Sequence, residues 1–341
     1  MRMALELAEL GRGFVSPNPM VGAVIVKGKR VVGVGYHRRY GEEHAEVRAI
    51  RDAGDSARGA TMYVTLEPHN FHGHQPPCTE AILEAGIARV VVGALDPNPK
   101  VRGGGVRRLR EAGVEVVVGV LEEEVRRQNE IFFTFHERGR PFVALKLALT
   151  ADGRIADRWG RSRWITSEAA RERVHLMRSY HDAILVGAGT VRADDPLLTV
   201  RHVFTERQPL RVVLSRSGKL PCDARVFGGD APTLLLSVRE PECRPEGVEI
   251  IPFSGAFAEA LEILRERGIT SVLVEGGREV ATTLLTEGPL DRIHLFIAPK
   301  FLGGDFGPLA KALPVGEALK FSVESAEVVG EDVLMELVAD G

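Results

Sequence analysis

The 341-residue chain is poor in cysteine, in aromatic side chains and in net charge, and each shortage excludes a class of protein. Three cysteines are too few and too scattered for a disulfide framework, so we interpret Cys222 and Cys243 as structural or incidental. With 6% aromatics, a net charge of -3 and no Lys or Arg run, we expect a small-molecule substrate and no nucleic acid. No apolar stretch is long enough for a signal peptide or a membrane span, which predicts a cytoplasmic protein without membrane contact.

The length predicts two domains, each able to bury its own core. Apolar runs alternate with segments of helical period, a pattern typical of α/β domains with largely parallel strands. The polar segment from Glu137 to Pro141 contains a glycine and a proline, and we place the boundary there. The predicted domains are residues 1–140 and 141–341.

Strands and helices are predicted from these periodicities in both domains. In the first domain the strands are 21–26, 31–36, 62–66, 90–94 and 114–118, and the helices are 45–53, 79–85, 105–111 and 121–137. In the second domain the strands are 142–149, 183–186, 211–214, 233–236, 271–274 and 292–298, and the helices are 167–178, 258–267 and 279–285.

The segment His44-Ala45-Glu46, followed by Glu67-Pro68-His69 and Pro76-Pro77-Cys78, indicates a zinc deaminase site. A metal that activates water needs about three protein ligands, an open position and a nearby acid or base that is not bound. His44, His69 and Cys78 supply the ligands and Glu46 the proton shuttle. The usual signature, H-x-E and then P-C-x-x-C, has a thiolate where this chain has His69.

His72 and His74 lie in the same loop and compete with His69 as ligands. We prefer His69, because it follows Glu67-Pro68 at the end of a strand, where rigid backbone can aim it. Cys78 opens a helix after two prolines, and we expect the helix N-terminus to favour its thiolate form. Any one of these residues alone is more often a capping histidine or a small buried group, but their joint order favours a metal site.

Two glycine turns in the second domain each follow a strand and open a helix: Gly187-Ala188-Gly189-Thr190 and Glu275-Gly276-Gly277. Such turns let a phosphate approach backbone amides at a helix N-terminus. Neither matches G-x-G-x-x-G, so a Rossmann fingerprint is not indicated. Taken alone, each turn is more often ordinary strand-to-helix punctuation.

Further motifs run in order along nearly the whole chain. They are 17–22 (PNPMVG), the three deaminase segments above, 96–99 (DPNP), 146–147 and 152–154 (KL, DGR), 163–167 (RWITS), 189–196 (GTVRADDP) and 274–277 (VEGG). Together they closely resemble the bifunctional deaminase-reductase family of riboflavin biosynthesis. The resemblance implies an N-terminal cytidine-deaminase-like three-layer domain and a C-terminal dihydrofolate-reductase-like α/β domain.

The resemblance also implies two successive reactions and a homodimer. A diaminopyrimidinone carrying a phosphoribosylamino group loses its ring amine by zinc-dependent hydrolysis, and NADPH then reduces the ribose of the product to a ribityl chain. It implies that the cofactor is bound by Ala148, Trp164, Thr190, Asp194, Ser215, Gly277, Arg278, Glu279, Val280, Ala281, Thr282 and Thr283. It implies that the substrates are bound by Asn18, Lys146, Ser162, Arg178, Leu198, Arg201 and Glu275.

Three alternatives remain at the level of sequence. The family has Cys, His and a basic residue where this chain has His69, Phe71 and His74, which motivates a reductase whose first domain does not deaminate. A nucleic-acid editor requires a basic groove and stacking aromatics, which the composition does not favour. A non-catalytic zinc scaffold is not favoured by an open ligand set and two phosphate-type turns.

Overall fold

The computed structural model describes residues 1–71, 76–229, 231–310 and 313–339. The chain divides into two units, Met1–Arg140 (unit 1) and Pro141–Gly341 (unit 2). Among the described residues, no helix is both long enough and apolar enough to span a bilayer.

Unit 1 consists of a mixed sheet flanked by helices. Its elements are α1 (Arg2–Glu9), β1 (Gly22–Lys27), β2 (Arg30–Tyr36), α2 (Ala45–Ala53), β3 (Thr61–Leu66), α3 (Cys78–Glu84), β4 (Arg89–Ala94), α4 (Gly104–Glu111), β5 (Glu115–Val118), α5 (Glu122–Gln128) and α6 (Glu130–Glu137). The strand order among the described residues is β2-β1-β3-β4-β5. Strand β1 runs antiparallel to β2 and β3, so only the β3-β4-β5 half is parallel as predicted.

Glycines in β2 allow helix α2 to lie directly on the sheet. A Cβ atom on Gly35 would stand 2.3 Å from the Ala45 carbonyl oxygen, and one on Gly33 would stand 2.4 Å from that of Ala49. Such distances are far below van der Waals contact, so a larger residue at either position would displace the helix. This close packing fixes the start of α2, where the H-A-E segment lies.

The predicted single helix 121–137 is wrong, because the structure has two helices that meet at Asn129. The buried side chain of Asn129 accepts a hydrogen bond from the Met20 N–H at 2.8 Å and donates one to the Met20 carbonyl at 3.0 Å. This tertiary pairing accompanies the break in the helix, and a local periodicity could not reveal it. Helix α1 was also missed.

Unit 2 is built on one large sheet. Its elements are β6 (Phe142–Thr150), α7 (Glu168–Tyr180), β7 (Ala183–Gly187), α8 (Ala188–Asp194), β8 (Leu210–Ser215), β9 (Thr233–Ser237), β10 (Glu249–Pro252), α9 (Phe257–Glu266), β11 (Ser271–Val274), α10 (Arg278–Glu287), β12 (Arg292–Ala298), β13 (Phe321–Val329) and β14 (Asp332–Ala339). The order among the described residues is β10-β9-β8-β7-β11-β6-β12-β14-β13. All pairs are parallel except β12-β14 and β14-β13.

The middle of this sheet brings the two glycine turns together. Strands β7 and β11 are parallel neighbours, and the turns at 187–190 and 275–277 follow their carboxyl ends. Ligands of open α/β sheets bind at this edge of parallel strands. The sheet thus places both phosphate-type turns on one side of a single cleft.

Strands β10, β13 and β14 were not predicted. Strand β13 is exposed along nearly its whole length and carries polar residues, so it lacks the apolar run that marked the central strands. Strand β10 has only four residues. These strands gain their order from pairing with neighbours distant in sequence, which a local pattern does not show.

Of the two interpretations of the unit 2 cysteines, structural or incidental, the structure favours the structural one, although their pairing was not predicted. Cys222 and Cys243 form a disulfide, with their Cα atoms 6.0 Å apart and a sequence separation of 21. The bridge joins the loop after β8 to the loop after β9, and these strands are parallel neighbours whose ends lie side by side. Sheet topology, which is not visible in cysteine spacing, brings the two thiols together.

Candidate active sites

The three predicted metal ligands of unit 1 converge. One ligand atom from each of His44, His69 and Cys78 lies within 4.8 Å of the others, and Cys78 Sγ is 3.3 Å from His44 Nδ1. Ligands of a tetrahedral zinc ion stand roughly 3.5 Å apart, so two nitrogens and one sulfur in this arrangement fit Zn²⁺. His44 precedes α2, Cys78 opens α3, and His69 follows β3. The competing ligands His72 and His74 lie outside the described residues.

The surroundings of the site favour the metal-binding form of His44 but not that of Cys78. Burial, with His69 and His37 nearby, lowers the pKa of His44 to about 4, so the ring is neutral and able to bind metal. Burial and the neighbouring Glu46 raise the pKa of the Cys78 thiol. Burial and Glu46 therefore outweigh the expected help from the helix N-terminus, and a cation must supply the field that holds a thiolate.

Glu46 lies in the first turn of α2 and is 3% exposed. Burial raises the pKa of this carboxyl, and its side chain hydrogen-bonds to Cys78. A buried carboxyl beside the ligand cluster, two residues from His44, is placed to accept and return a proton. This is the position that the sequence assigned to the proton shuttle.

Asn18 lies close to the same cluster. Its Nδ2 is 3.1 Å from Nε2 of His37, and the His37 ring stacks edge-on against His44 with centroids 5.1 Å apart. The structure thus brings the predicted substrate contact within one residue of the metal ligands. His37 itself was not singled out from sequence, since a lone histidine after a strand carries no signal.

Glu67 belongs to one of the three deaminase segments, but the sequence did not predict its role. It is 4% exposed, and its carboxylate accepts backbone N–H groups of Asp96, Gly103 and Val106 at 3.3, 2.9 and 3.0 Å. Three backbone donors to one carboxylate are strong charge-assisted hydrogen bonds. Glu67 therefore ties the 96–106 segment to the strand end that carries His69.

Unit 2 contains a cavity of about 1030 Å³ at the carboxyl ends of its central strands. The cavity is large enough for a dinucleotide beside a small substrate. Most of the predicted cofactor and substrate residues line it: Lys146, Ala148, Ser162, Trp164, Arg178, Thr190, Asp194, Leu198, Arg201, Glu275, Gly277, Arg278, Glu279, Val280 and Thr283. These fifteen residues come from separate strands, helices and loops.

Three predicted cofactor contacts do not line this cavity, and each has a structural partner instead. Ser215 is buried and accepts the Gly218 N–H at 3.1 Å. Ala281 is part of the core, and Thr282 donates to the Arg278 carbonyl in its own helix at 2.7 Å. In a helix, successive residues point in different directions, so a continuous run from 277 to 283 cannot all face one ligand.

A buried charge network forms one side of the cavity. Arg178 donates two hydrogen bonds to Glu275, at 2.5 and 2.9 Å. Although burial opposes it, Arg178 and Lys146 lower the pKa of Glu275, so this carboxyl is ionised. Burial lowers the pKa of Lys146, while Glu275 opposes that shift. Arg178, Glu275 and Lys146 can therefore bind polar substrate atoms within an otherwise apolar sheet, and the lowered pKa of Lys146 eases release of its proton.

The two glycine turns are joined to each other. The Gly277 N–H donates to Thr190 Oγ1 at 2.9 Å, and a Cβ on Gly277 would lie 2.9 Å from the same atom. Nearby, Ser162 donates to Asp194 at 2.8 Å. Glycine at 277 lets the chain pass close to Thr190, and the N-terminus of α10 that begins there lies at the cavity wall, a type of position that binds diphosphate.

The two units of the chain match the models of two separate families. Residues 1–94 match the cytidine and deoxycytidylate deaminase zinc-binding region, and residues 141–335 match the RibD C-terminal domain. A riboflavin biosynthesis protein RibD of Aquifex aeolicus is 45% identical, covering 98% of this chain and 96% of that protein.

The chain belongs to the RibD family.

Other members of the RibD family are similarly close. The RibD of Escherichia coli K12 is 40% identical over 99% of this chain and 98% of that protein. A crystal structure from Thermotoga maritima, a diaminohydroxyphosphoribosylaminopyrimidine deaminase and 5-amino-6-(5-phosphoribosylamino)uracil reductase, has a TM-score of 0.92 and 42% identity, covering 100% of this chain and 97% of that one. Acinetobacter baumannii RibD gives a TM-score of 0.92 at 36% identity, with 100% and 98% covered.

RibD membership confirms the predicted family, fold class and enzyme class. The chain is a bifunctional enzyme of riboflavin biosynthesis. It has a deaminase (hydrolase) activity and an NADPH-dependent reductase activity, and it acts on small molecules. Its cofactors are zinc and NADPH. Both parts of a RibD protein are present, so the alternative of a reductase with an impaired deaminase is not favoured.

Proposed function

We propose that unit 1 is the deaminase domain and that it removes the ring amine of 2,5-diamino-6-(5-phosphoribosylamino)pyrimidin-4(3H)-one. The convergence of His44, His69 and Cys78 within 4.8 Å is the observation that supports this assignment. Zinc held by these residues supplies an activated water for hydrolysis. The remaining work is done by protein side chains beside the cluster.

Glu46 is the proton shuttle of this deamination. Its buried carboxyl, whose pKa is raised, takes a proton at the cluster and delivers it to the departing ammonia. Asn18 holds the pyrimidine ring, since its amide lies one residue away from His44 through His37. An amide offers both a donor and an acceptor, which suits the alternating edge of a pyrimidinone.

Unit 2 is the reductase domain, and it converts the ribose of 5-amino-6-(5-phosphoribosylamino)uracil to a ribityl chain. NADPH supplies the hydride when bound. The glycine turns would hold its diphosphate, and Ala148, Trp164, Thr190, Asp194, Arg278, Glu279, Val280 and Thr283 would supply the remaining contacts. The cavity that these residues line supports the assignment.

The sugar phosphate lies at the end of the cavity lined by Lys146, Arg178 and Arg201, which we call the cationic end. Ionised Glu275 and buried Lys146 hold the sugar hydroxyls, with Ser162 and Leu198 along its path. Arg178 keeps Glu275 in place through its two hydrogen bonds, and Arg201 receives the phosphate. Guanidinium groups match phosphate oxygens in geometry and charge.

The working protein is a cytoplasmic homodimer. Support for a second copy comes from the outer strand β13, where Val323 and Val328 are exposed at the edge of the sheet. Sedimentation velocity of the purified chain, in which a single species of twice 37.2 kDa is expected, tests this assembly.

One preparation tests both reactions. Zinc-loaded protein is expected to release ammonia from the diaminopyrimidinone, and Glu46→Gln is expected to lose ammonia release while retaining zinc. NADPH oxidation with the deaminated substrate serves as the matched control, because the Glu46 variant leaves unit 2 unchanged. Ammonia release that survives in Glu46→Gln would remove the assigned shuttle, and absence of NADPH oxidation would remove the reductase assignment.

A further inference from the structure

His175 lies at the cationic end of the unit 2 cavity but belongs to none of the roles assigned above. It precedes Arg178 by three residues on α7, so both side chains point from one face of that helix. Its side chain lines the cavity together with Arg201, and the residue is only 5% exposed.

One ring nitrogen of His175 has a fixed role. The backbone N–H of Arg201 donates to Nδ1 of His175 at 3.2 Å. A backbone N–H can only donate, so Nδ1 must accept and carries no proton. Burial, assisted by Arg178, Arg201 and His202, lowers the pKa of His175 to about 4, while Glu275 opposes this. The ring is therefore neutral near pH 7, and its single proton resides on Nε2.

The Nε2 atom faces another donor. It stands 3.5 Å from a terminal nitrogen of the Arg201 guanidinium, which carries only N–H groups. Two donors cannot satisfy each other, whereas one oxygen placed between them can accept from both. The fork of Arg178 is already directed to Glu275 and to the Thr199 carbonyl. One terminal nitrogen of Arg201 donates to Thr199 Oγ1 at 2.8 Å. The two donors that lie side by side at the cavity wall are therefore Nε2 of His175 and the other terminal nitrogen of Arg201.

We propose that the Nε2–H of His175 is a substrate-binding donor of the reductase, which shares a terminal phosphate oxygen of the sugar phosphate with the Arg201 guanidinium. The inference rests on the proposed function, which places that phosphate at Arg201. It adds a neutral donor beside the charged guanidinium of Arg201. A neutral donor discriminates for an acceptor oxygen at one position rather than for negative charge in general.

Two substitutions separate the two ring nitrogens. His175→Asn places an amide near the Nδ1 position and can still accept from Arg201, but it lacks a donor at Nε2. His175→Gln extends its amide nitrogen to the Nε2 position and keeps the donor. Loss of a hydrogen bond to a charged group corresponds to roughly 10- to 100-fold in binding.

The readout is the steady-state reduction of 5-amino-6-(5-phosphoribosylamino)uracil. We expect His175→Asn to raise KM for this substrate about 10-fold or more, with kcat and KM for NADPH changed less than about threefold. His175→Gln is expected to stay within about threefold of the unmodified enzyme. Equal KM in His175→Asn and the unmodified enzyme, or equal damage in both variants with intact thermal unfolding, overturns the proposal.

A second substrate locates the effect at the phosphate. The riboside that lacks the phosphate is expected to be reduced equally poorly by the unmodified enzyme and by His175→Asn, since the lost donor then has no partner. Arg201→Ala separates a failure of this inference from a failure of the proposed function, which places the phosphate at Arg201. If Arg201→Ala raises KM and His175→Asn does not, only the role of His175 fails. If neither raises KM, the phosphate position in the proposed function fails as well.

Discussion

A buried carboxyl in unit 1 makes its stability depend on pH in an unusual direction. Asp96 follows β4, is 7% exposed, and accepts the Asn98 N–H at 2.8 Å. Burial, with Glu67 as a nearby negative charge, raises its pKa from the ordinary value of 3.8 to about 7. Between these two values the folded protein holds a proton that the unfolded chain has released. Stability must therefore fall as pH rises from 4 through 7.

The size of the effect follows from the two pKa values. Relative to a neutral side chain, Asp96 costs the folded state about 2 kcal/mol at pH 5 and about 4 kcal/mol at pH 8. Asp96→Asn removes the charge, and its carbonyl oxygen can still accept from Asn98. We expect this variant to be more stable than the unmodified protein, with an advantage that grows by about 2 to 3 kcal/mol between pH 5 and pH 8.

Amide hydrogen exchange measured by mass spectrometry on peptides of β4 provides the assay, because it reports on unit 1 within the full chain. The advantage corresponds to exchange slowed roughly 50- to 100-fold more at pH 8 than at pH 5, relative to the unmodified protein. Asp52→Asn is the matched control, since Asp52 is exposed and accepts one backbone N–H from Val34. A gain that does not vary with pH, or a loss of stability at pH 8, would refute the reasoning.

Two further substitutions address packing and the disulfide. A Cβ on Gly105 would lie 1.8 Å from the Pro68 carbonyl oxygen, so Gly105→Ala is expected to displace the strand end that carries the metal ligand and to weaken zinc retention in a chelator competition. Gly316→Ala, with open space around it, should retain zinc normally. Replacing Cys222 and Cys243 by serine is expected to destabilise unit 2 by about 3 kcal/mol in urea unfolding followed by tryptophan fluorescence, and reductant should then have no further effect. Equal urea midpoints for the unmodified and serine proteins would contradict it.

The three candidate metal ligands could be predicted from the sequence because each is placed by local structure. His44 precedes a helix, Cys78 opens another, and His69 follows a strand, so short motifs fix their positions. The central strands of unit 2 could also be predicted from local sequence, because strands buried on both faces are continuous apolar runs. Their parallel order then placed both glycine turns at one cleft.

What the sequence could not reveal depends on partners distant along the chain. Glu67 looked like a residue that merely precedes a ligand, yet its three acceptor bonds reach 29 to 39 residues away. The split at Asn129 depends on Met20, and the pairing of Cys222 with Cys243 depends on two parallel strands. Periodicity describes which face of an element is apolar, but not which residue will meet it.

The position of strand β14 has a consequence for biosynthesis. It lies between β12 and β13, inside the sheet, although it is formed by residues 332–339. During translation, the described strands of unit 1 are all present once residue 140 has left the ribosome, whereas the sheet of unit 2 is incomplete until residues 332–339 have emerged. From residue 298, where β12 ends, until β14 follows, one edge of β12 has no neighbouring strand. A nascent chain arrested in that interval therefore carries a folded unit 1 attached to an incomplete unit 2, whose exposed strand edge can pair with other chains.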